Sequence, residues 1–521
     1  MKKQYKIMTG KGIVEREYNR IPIRYIIALL ITLTKIVATL GAVLLLCRYV
    51  PIFYALCMTM SVLSVIKIIA SDDNPDYKVP WLIIVILMPI AGAVLYLMFY
   101  SRKLKRRYIK RIREVESHRY SYEDTEAMAA LASEDKMAAS QAKMLTEISR
   151  SHVFRDTVIT YFPSGRDMLD RLLSDLEAAE KFIFLEFFII EDGVFWNTVL
   201  EVLKRKASEG VDVRVMYDDI GCMSTLPGNY DNILRKHGID AVIFSKLRGS
   251  ADSEMNNRDH RKIIVIDGTV GYTGGVNIAD EYIGERVRFG EWKDSAVRLL
   301  GDAVHELTWL FLSGFGMSSK TLLDPPKGAY PESYVPRANG YVIPFGDGPR
   351  PIYKHSVSKS AIQNMIGSAT EYVYMTTPYL IIDNDLCSDI ERAAMRGVDV
   401  RIAVPHIPDK RLVFAMTRSF YHRLMDAGVK IYEYEPGFIH SKTYVADGKY
   451  AIAGTVNLDY RSLVHHFEDG VWMYATDAIA DIKRDVDSVL AKSIIVTPDM
   501  LRMGVLRRFL RAVIRIFAPM L

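Results

Sequence analysis

Cysteine is nearly missing from this chain. There are four in 521 residues, at positions 47, 57, 222 and 387, and none forms a C-x-x-C pair. That excludes a disulfide framework and a zinc cluster, and a reducing, cytoplasmic setting for the polar part fits. An excess of charge of one sign is also missing: 67 basic against 62 acidic residues leave only +5. The global balance therefore points to no polyanionic partner, and what matters is that basic residues gather at both ends. Proline and glycine are absent from Asp124–Met144, where Ala, Met, Glu and Lys dominate. Residues 101–150 are predicted to be a charged helical connector, solvated along its length.

Charge is scarce in three long runs near the N-terminus. Tyr25–Cys47 carries only Lys35, Val50–Ala70 only Lys67, and Val79–Tyr100 none. Each has about the 20 residues that a membrane-crossing helix needs, so residues 25–100 are predicted to hold two or three transmembrane helices. Before them lies a basic tail, residues 1–24, with Lys2, Lys3, Lys6, Lys11, Arg16, Arg20 and Arg24. No small-residue cleavage site follows the first run, as a signal peptide would require. The connection Ser71–Lys78 is short and acidic, which suits the outer side of a bilayer. The cluster Arg102, Lys103, Lys105, Arg106, Arg107, Lys110, Arg111 and Arg113 places all that follows on the cytoplasmic side. Three spans would then leave the basic tail outside, against the same rule, and the choice between two and three stays open. At the far end, residues 498–521 form a basic amphipathic helix: Leu506, Phe509, Leu510, Val513 and Phe517 recur every three or four residues between Arg507, Arg508, Arg511 and Arg515. It is expected on a membrane surface, the alternative being a helix docked on the protein's own core.

From about Asp156 the pattern becomes alternating strand and helix, and it occurs twice. Lys181–Ile190, Gly210–Tyr217 and Ile263–Ile266 are predicted strands. Their counterparts are Tyr372–Pro378, Gly397–Arg401 and Thr443–Ala446, and G-V-D-V-R is repeated letter for letter at 210–214 and 397–401. A proline-rich linker, Leu323–Gly340, separates a first half, 151–337, from a second, 338–497.

The duplication carries the chemistry. His260, Lys262, Asp267 and Asn277 recur as His440, Lys442, Asp447 and Asn457 with the same offsets from the histidine, 2, 7 and 17. His260 and Lys262 stand at the mouth of a buried strand and share a face by two-residue alternation. A lysine buried there needs an anion. Asp267 falls at the strand's far end and reads as a structural acceptor or counter-ion, although it belongs to the repeated catalytic motif together with Asp447. Two histidines, two lysines and two asparagines suit one phosphate group: one imidazole attacks phosphorus, the other protonates the leaving oxygen, and Lys262, Lys442, Asn277 and Asn457 hold the oxygens. One Asp per copy is too few for a two-metal centre, so no metal and no cofactor is expected. The tautomer of each histidine needs a fixing partner, and the candidates are the carboxylates downstream of each copy, Asp294 in W-K-D and Glu468 in H-F-E-D. Asp294 is the expected partner within the first copy.

The doubled H-x-K-x4-D, with Y-T-G-G-V-N at 272–277, W-K-D at 292–294, T-P-Y at 377–379 and N-L-D-Y-R-S at 457–462, resembles the phospholipase D superfamily. Within it, the apolar segments before the domain and the basic tail after it are similar to the bacterial cardiolipin synthases. The resemblance implies an α/β fold of two halves related by a pseudo-twofold axis, each a mixed sheet flanked by helices, behind an N-terminal transmembrane region, with the site between them. It implies a multi-pass protein of the bacterial cell membrane whose catalytic domain is cytoplasmic. The implied reaction condenses two phosphatidylglycerols into cardiolipin and glycerol through a phosphatidyl-histidine, with His260 as nucleophile, His440 as acid and base, and Asp294 and Glu468 orienting them. Membrane lipids are the implied partners and nucleic acid is not; a nuclease would need a basic groove with stacking aromatics and no membrane anchor. A lipid hydrolase or a phosphatidylserine synthase shares the first half-reaction and is the alternative. Two departures stand out. Gly275 replaces the common Ser of the G-S-x-N pattern, where Thr455 stands in the second copy, which puts one phosphate hydrogen bond in doubt. His465 and His466 stand where an Asn is expected nearby, and they are predicted to be exposed.

Overall fold

The computed structural model describes residues 2–9, 12–19, 23–100, 106–116, 119–247, 256–319, 325–326, 328–331 and 337–520. The expectations for Arg102, Lys103 and Lys105 and for most of the linker fall outside these. Within the basic tail, β1 (Lys2–Thr9) and β2 (Gly12–Asn19) pair as an antiparallel hairpin.

Prolines punctuate the apolar region. After α1 (Ile23–Tyr49), Pro51 opens α2 (Pro51–Ala70), Pro75 opens α3 (Pro75–Leu87) and Pro89 opens α4 (Pro89–Phe99). Proline suits the first helical turn because its missing N–H has no acceptor there. Among the described residues two helices, Tyr25–Tyr49 and Pro51–Ala70, are long and apolar enough to cross a membrane. The third predicted span is not one helix. It breaks at Met88, and α3 and α4, about 20 and 16 Å long at 1.5 Å per residue, fold back on each other. Their crossing is close at Gly92, where a Cβ would sit 2.5 Å from the Ile84 carbonyl oxygen. Ile68, Tyr77, Trp81, Val85 and Tyr96 form the buried centre of this hairpin and the end of α2.

The Ser71–Lys78 connection touches the second half of the domain. Asn74 donates to Asp383 at 2.6 Å, and Asp76 accepts from the Asn384 N–H at 2.6 Å and from the Tyr460 hydroxyl at 3.0 Å. This corrects the expectation that the connection faces the side opposite the domain. Asp76 serves as the acceptor for a helix start and a tyrosine, which puts the connection on the side of the catalytic halves.

The connector is also corrected. It is three helices, Arg106–Glu116, Thr125–Glu134 and Lys136–Ser149. Asp135 leaves helical geometry and caps the last of these by accepting from the Met137 and Ala138 N–H groups. Leu131, Ala138, Ala142 and Leu145 are buried in the core of the second half, so the segment is packed rather than solvated. Its alanine content permits close approach.

Each half is a mixed sheet with helices packed on it. In the first, the spatial order is Val158–Phe162, Ala296–Leu300, Val270–Gly274, Lys262–Ile266, Phe182–Phe187, Asp212–Asp218, Asp240–Phe244. In the second it is Tyr341–Asp347, Glu468–Tyr474, Tyr450–Gly454, Thr443–Ala446, Tyr372–Thr376, Asp399–Pro405, Lys430–Tyr434, with Ser493–Ile495 added at the edge. The first seven positions correspond one to one, in sequence order and in direction of pairing. A shared core joins the halves: Phe184, Val265 and Val297 pack in the same apolar cluster as Val445, Val471, Met473 and Ile482.

The C-terminal helix, Val505–Ile516, docks by one face only. Arg515 reaches the Ser419 carbonyl at 3.2 Å and lies over the Phe420 ring, while Ile514 and Ala518 meet the second-half core. Leu506, Phe509 and Leu510 point outward, 71%, 63% and 49% exposed. Docking and an uncovered apolar face coexist in one helix.

Candidate active site

The motif's aspartates hold the sheets together. Asp267 accepts from the N–H groups of Glu180, Lys181 and Phe182 at 2.7–2.9 Å, and Asp447 does the same for Thr370, Glu371 and Tyr372. Each takes a left-handed backbone, φ 53°, followed by a glycine, at the turn beyond the histidine-bearing strand. Six residues separate Asp267 from His260, about 23 Å of extended chain at 3.3 Å per residue. Their place in the catalytic group is therefore corrected: both aspartates fix the start of the adjacent strand and are remote from the histidines.

The other ends of these strands converge. His260 lies just before Lys262–Ile266, and its N–H donates to the Phe467 carbonyl at 2.9 Å. His440 follows the short strand Gly437–Ile439, which pairs in parallel with Glu291–Lys293 of the first half, and its N–H donates to the Lys293 carbonyl at 2.6 Å. Each histidine is thus sewn to the segment that carries the other half's carboxylate. The consequence is an exchange. His260 Nδ1 lies 2.9 Å from both oxygens of Glu468, and His440 Nδ1 lies 2.7 Å from Asp294 Oδ2. The expected pairing of Asp294 with the first-copy histidine is overturned: every partnership crosses between the halves, because the backbone pairing does.

Both carboxylates are buried and ionised. Burial raises a carboxyl group, but the imidazoles and lysines beside them outweigh it and hold Glu468 and Asp294 below the ordinary range. Burial pushes the His260 imidazole down to about 3 and the His440 imidazole to about 4, the nearby lysines adding to it and the carboxylates resisting. Both rings therefore rest neutral, with Nδ1–H donated to the carboxylate and the Nε2 lone pair free. Lys442 Nζ also lies 2.8 Å from His440 Nδ1. That nitrogen cannot donate and accept at once, and the ionised Asp294 is the stronger claim on it.

Lys262 and Lys442 are fully buried, each reaching back to the carbonyl of its own motif histidine. Burial lowers their ammonium groups to about 8 and about 7, against the pull of the neighbouring carboxylates. A lowered pKa means the cation is lost as pH rises through that value. Turnover per KM is accordingly expected to fall above about pH 7 as Lys442 loses its proton, and Lys442→Arg to carry the alkaline limb upward. A pH–rate profile of the two proteins checks this; coincident limbs would remove Lys442 from the ionisation.

The two asparagines diverge. Asn457 Oδ1 is buried without a partner among the described residues. Asn277 is committed: its Oδ1 accepts from the Ile189 N–H at 3.0 Å and its amide donates to the Tyr282 hydroxyl at 2.8 Å. That capture of Ile189 ends the strand at Phe187, short of the predicted Ile190. The expectation that Asn277 holds a phosphoryl oxygen is corrected to a mainly structural role.

Gly275 has a steric reason. A Cβ there would lie 2.0 Å from Asp294 Oδ1 and 2.9 Å from the His440 carbonyl oxygen. Its counterpart Thr455 bonds its hydroxyl to Glu468, so the side chain at this position serves the carboxylate and not the phosphate, and the doubt about a lost phosphate contact is resolved. Asp294 instead accepts the Ser295 N–H at 2.8 Å. Gly275→Ser is expected to displace Asp294 and lower turnover by about 10²-fold, as a misplacement of about 1 Å does. Activity within threefold of the parent would show that Asp294 has room to move.

Several site residues were not singled out from the sequence. Phe188 meets His260 edge-on at 5.1 Å, and Tyr282, Trp292 and Phe438 surround His440 at 5.5–6.0 Å. Trp292 stands in the W-K-D motif and could have been noticed there. His465 and His466 are buried, 5% and 8% exposed, which corrects their predicted exposure. His465 ends a π-helical turn, Arg461–His465, and His466 follows it. His260, His466 and Glu468 bring ligand-capable atoms within 4.8 Å of one another. Lys262 beside them makes the locale better suited to an anion than to a divalent cation.

Comparison with known proteins agrees with this geometry. The family model described as cardiolipin synthase, PLD-like domain, matches residues 172–286 and 362–490, and a phospholipase D-nuclease N-terminal model matches 59–99. An uncharacterized protein of Streptococcus mutans is 38% identical over 88% of this chain and 99% of its own. Cardiolipin synthases of Geobacillus kaustophilus and Halalkalibacterium halodurans are 34% and 32% identical, each over 83% of this chain and 86% of theirs. The crystal structure of a phosphatidylserine synthase from Haemophilus influenzae shares the fold, with a TM-score of 0.55 at 13% identity over 73% of this chain and all of its own. Two phospholipase D-like halves, a histidine and lysine from each, and relatives that align along most of the chain place it in one family: the chain belongs to the cardiolipin synthases of the phospholipase D superfamily, and is an enzyme of the phosphatidyltransferase class.

Proposed function

We propose that this enzyme condenses two phosphatidylglycerol molecules into cardiolipin and glycerol at the site between its halves. The observation that carries the proposal is the pair of buried imidazoles, each fixed by the other half's carboxylate, in a chain with apolar helices beside the domain. His260 Nε2 attacks phosphorus, and the bond to the glycerol oxygen breaks as His440, protonated once the phosphodiester's charge enters the site, gives that oxygen its proton. The primary hydroxyl of a second phosphatidylglycerol then yields its proton to His440 and attacks phosphorus, and the P–N bond breaks. One phosphate ester is exchanged for another, so no nucleotide energy is required. Lys262, Lys442 and Asn457 hold the phosphoryl oxygens.

The membrane arrangement follows the same reading. Two spans, α1 and α2, return the chain to the side on which it began. The hairpin α3–α4 enters and leaves on that side, since its connection binds the domain through Asp76. The basic tail, the basic cluster after α4 and the catalytic domain then share the cytoplasmic face, which satisfies the positive-inside rule that three spans would break. The exposed apolar face of Val505–Ile516 rests on that same surface.

Purified full-length enzyme in phosphatidylglycerol vesicles with chelator is expected to release glycerol and cardiolipin in equal amounts. Phosphatidic acid as the only lipid product would replace the synthase reading with a hydrolase.

A further inference from the structure

We infer that His466 forms a subsite for the headgroup that carries the entering hydroxyl, and so determines whether the phosphatidyl group passes to an alcohol or to water. The inference rests on the proposed transfer reaction.

His466 stands beside the expected nucleophile, its ring 5.5 Å from that of His260. It is 8% exposed, and neither ring nitrogen has a hydrogen-bond partner among the described residues, Nδ1 having only the Glu468 carboxylate near it. A buried polar atom left without a partner is destabilising, and such an atom beside a reaction centre points to a ligand that completes it. Nδ1 faces Glu468 Oε1 at 3.5 Å. Glu468 thus lies between two imidazoles and turns the Nδ1 edge of both toward itself. With Nδ1 directed at the carboxylate, Nε2 of His466 carries a lone pair, and the chemistry that fits it is a hydroxyl donor. Phosphate is the poorer fit, since its oxygens accept and Lys262 and Lys442 already supply cations.

The surroundings agree with a hydroxyl brought in on a lipid. His466 is positioned by its N–H bond to the Arg461 carbonyl at 2.9 Å, which closes the π-helical turn. The preceding residue, His465, meets the ring of Tyr77 on α3 at 5.8 Å. The hairpin placed in the bilayer therefore abuts the segment that ends in His466. No bond to carbon or phosphorus changes at His466: it accepts from the headgroup's secondary hydroxyl, which aligns the primary hydroxyl oxygen, and that group's single proton leaves to His440.

The test reads a product ratio, which counts only active molecules and is blind to partial misfolding. In phosphatidylglycerol vesicles, His466→Leu is expected to lower the ratio of cardiolipin to phosphatidic acid at least tenfold relative to the parent. His466→Asn keeps an acceptor oxygen and is expected to stay within threefold. If the leucine variant does not accumulate, His466→Ala serves in its place. Equal losses of both products at an unchanged ratio would overturn the inference. So would a parent ratio that collapses on adding chelator, which would assign His260, His466 and Glu468 to a metal ion. A parent that makes only phosphatidic acid would instead overturn the transfer reaction itself.

Discussion

Glu468→Gln is expected to lower turnover by about 10⁴-fold while leaving the protein folded, and Asp294→Asn to do nearly the same. The magnitude is that of replacing the carboxylate behind a catalytic imidazole in a hydrolase triad, where the wrong tautomer is stabilised. An amide oxygen can still accept from Nδ1–H, but an amide N–H can equally donate to Nδ1 and force the proton onto Nε2, which kills the nucleophile. Glu468 lies 2.9 Å from His260 and Asp294 2.7 Å from His440, so the two variants should fail at different steps. Rapid-quench analysis with labelled phosphatidylglycerol separates them. Glu468→Gln should form no phosphatidyl-enzyme. Asp294→Asn should form it slowly and then keep it, because the base for the second hydroxyl is impaired. If the two patterns were exchanged, His440 would be the nucleophile.

The second large effect concerns the histidines. His260→Ala and His440→Ala are each expected to reduce cardiolipin formation by at least about 10⁴-fold, and the double variant by little more than either, since groups that act as one unit do not add. Their burial makes the roles sharp. Both rings are held neutral at about 3 and about 4 in the empty site, so only the arriving phosphodiester can raise one of them enough to act as an acid. Lipid product quantified per mole of folded enzyme checks this. A single variant retaining a tenth of parental activity would take that histidine out of the chemistry.

Much of the site was legible because it is repeated. His260 and His440, with Lys262 and Lys442, could be read from spacing alone, and the buried strands after them follow from their β-branched runs. The exchange of carboxylates was not legible. Asp294 follows His260 in sequence, and nothing local reveals that Glu291–Lys293 pairs with Gly437–Ile439 rather than with its own half. Asn277 and Asn457 occupy the same motif position, but only the first has a tyrosine, Tyr282, within 2.8 Å to capture it. Gly275 looked like a lost hydroxyl and is a space kept for Asp294. The N-terminal helices show a different failure. Hydropathy merged Val79–Tyr100 into one span, although Pro89 marked the break. The acidic connection looked outward-facing until Asp76 was seen to hold Asn384 and Tyr460. Composition registers what a segment could tolerate, whereas the placing of Asp76 depends on contacts more than 300 residues away.

The two halves exchange carboxylates at the site, and thermal unfolding of the full-length protein tests that without reference to activity. Two double-mutant cycles are required, one of His260→Ala with Glu468→Gln and one of His260→Ala with Asp294→Asn. Residues in direct contact within a buried network couple by about 0.5–3 kcal/mol, and independent ones add to within about 0.3–0.5 kcal/mol. The expected result is clear coupling between positions 260 and 468 and near-additivity between 260 and 294. Strong coupling of 260 to 294, with additivity between 260 and 468, would contradict it.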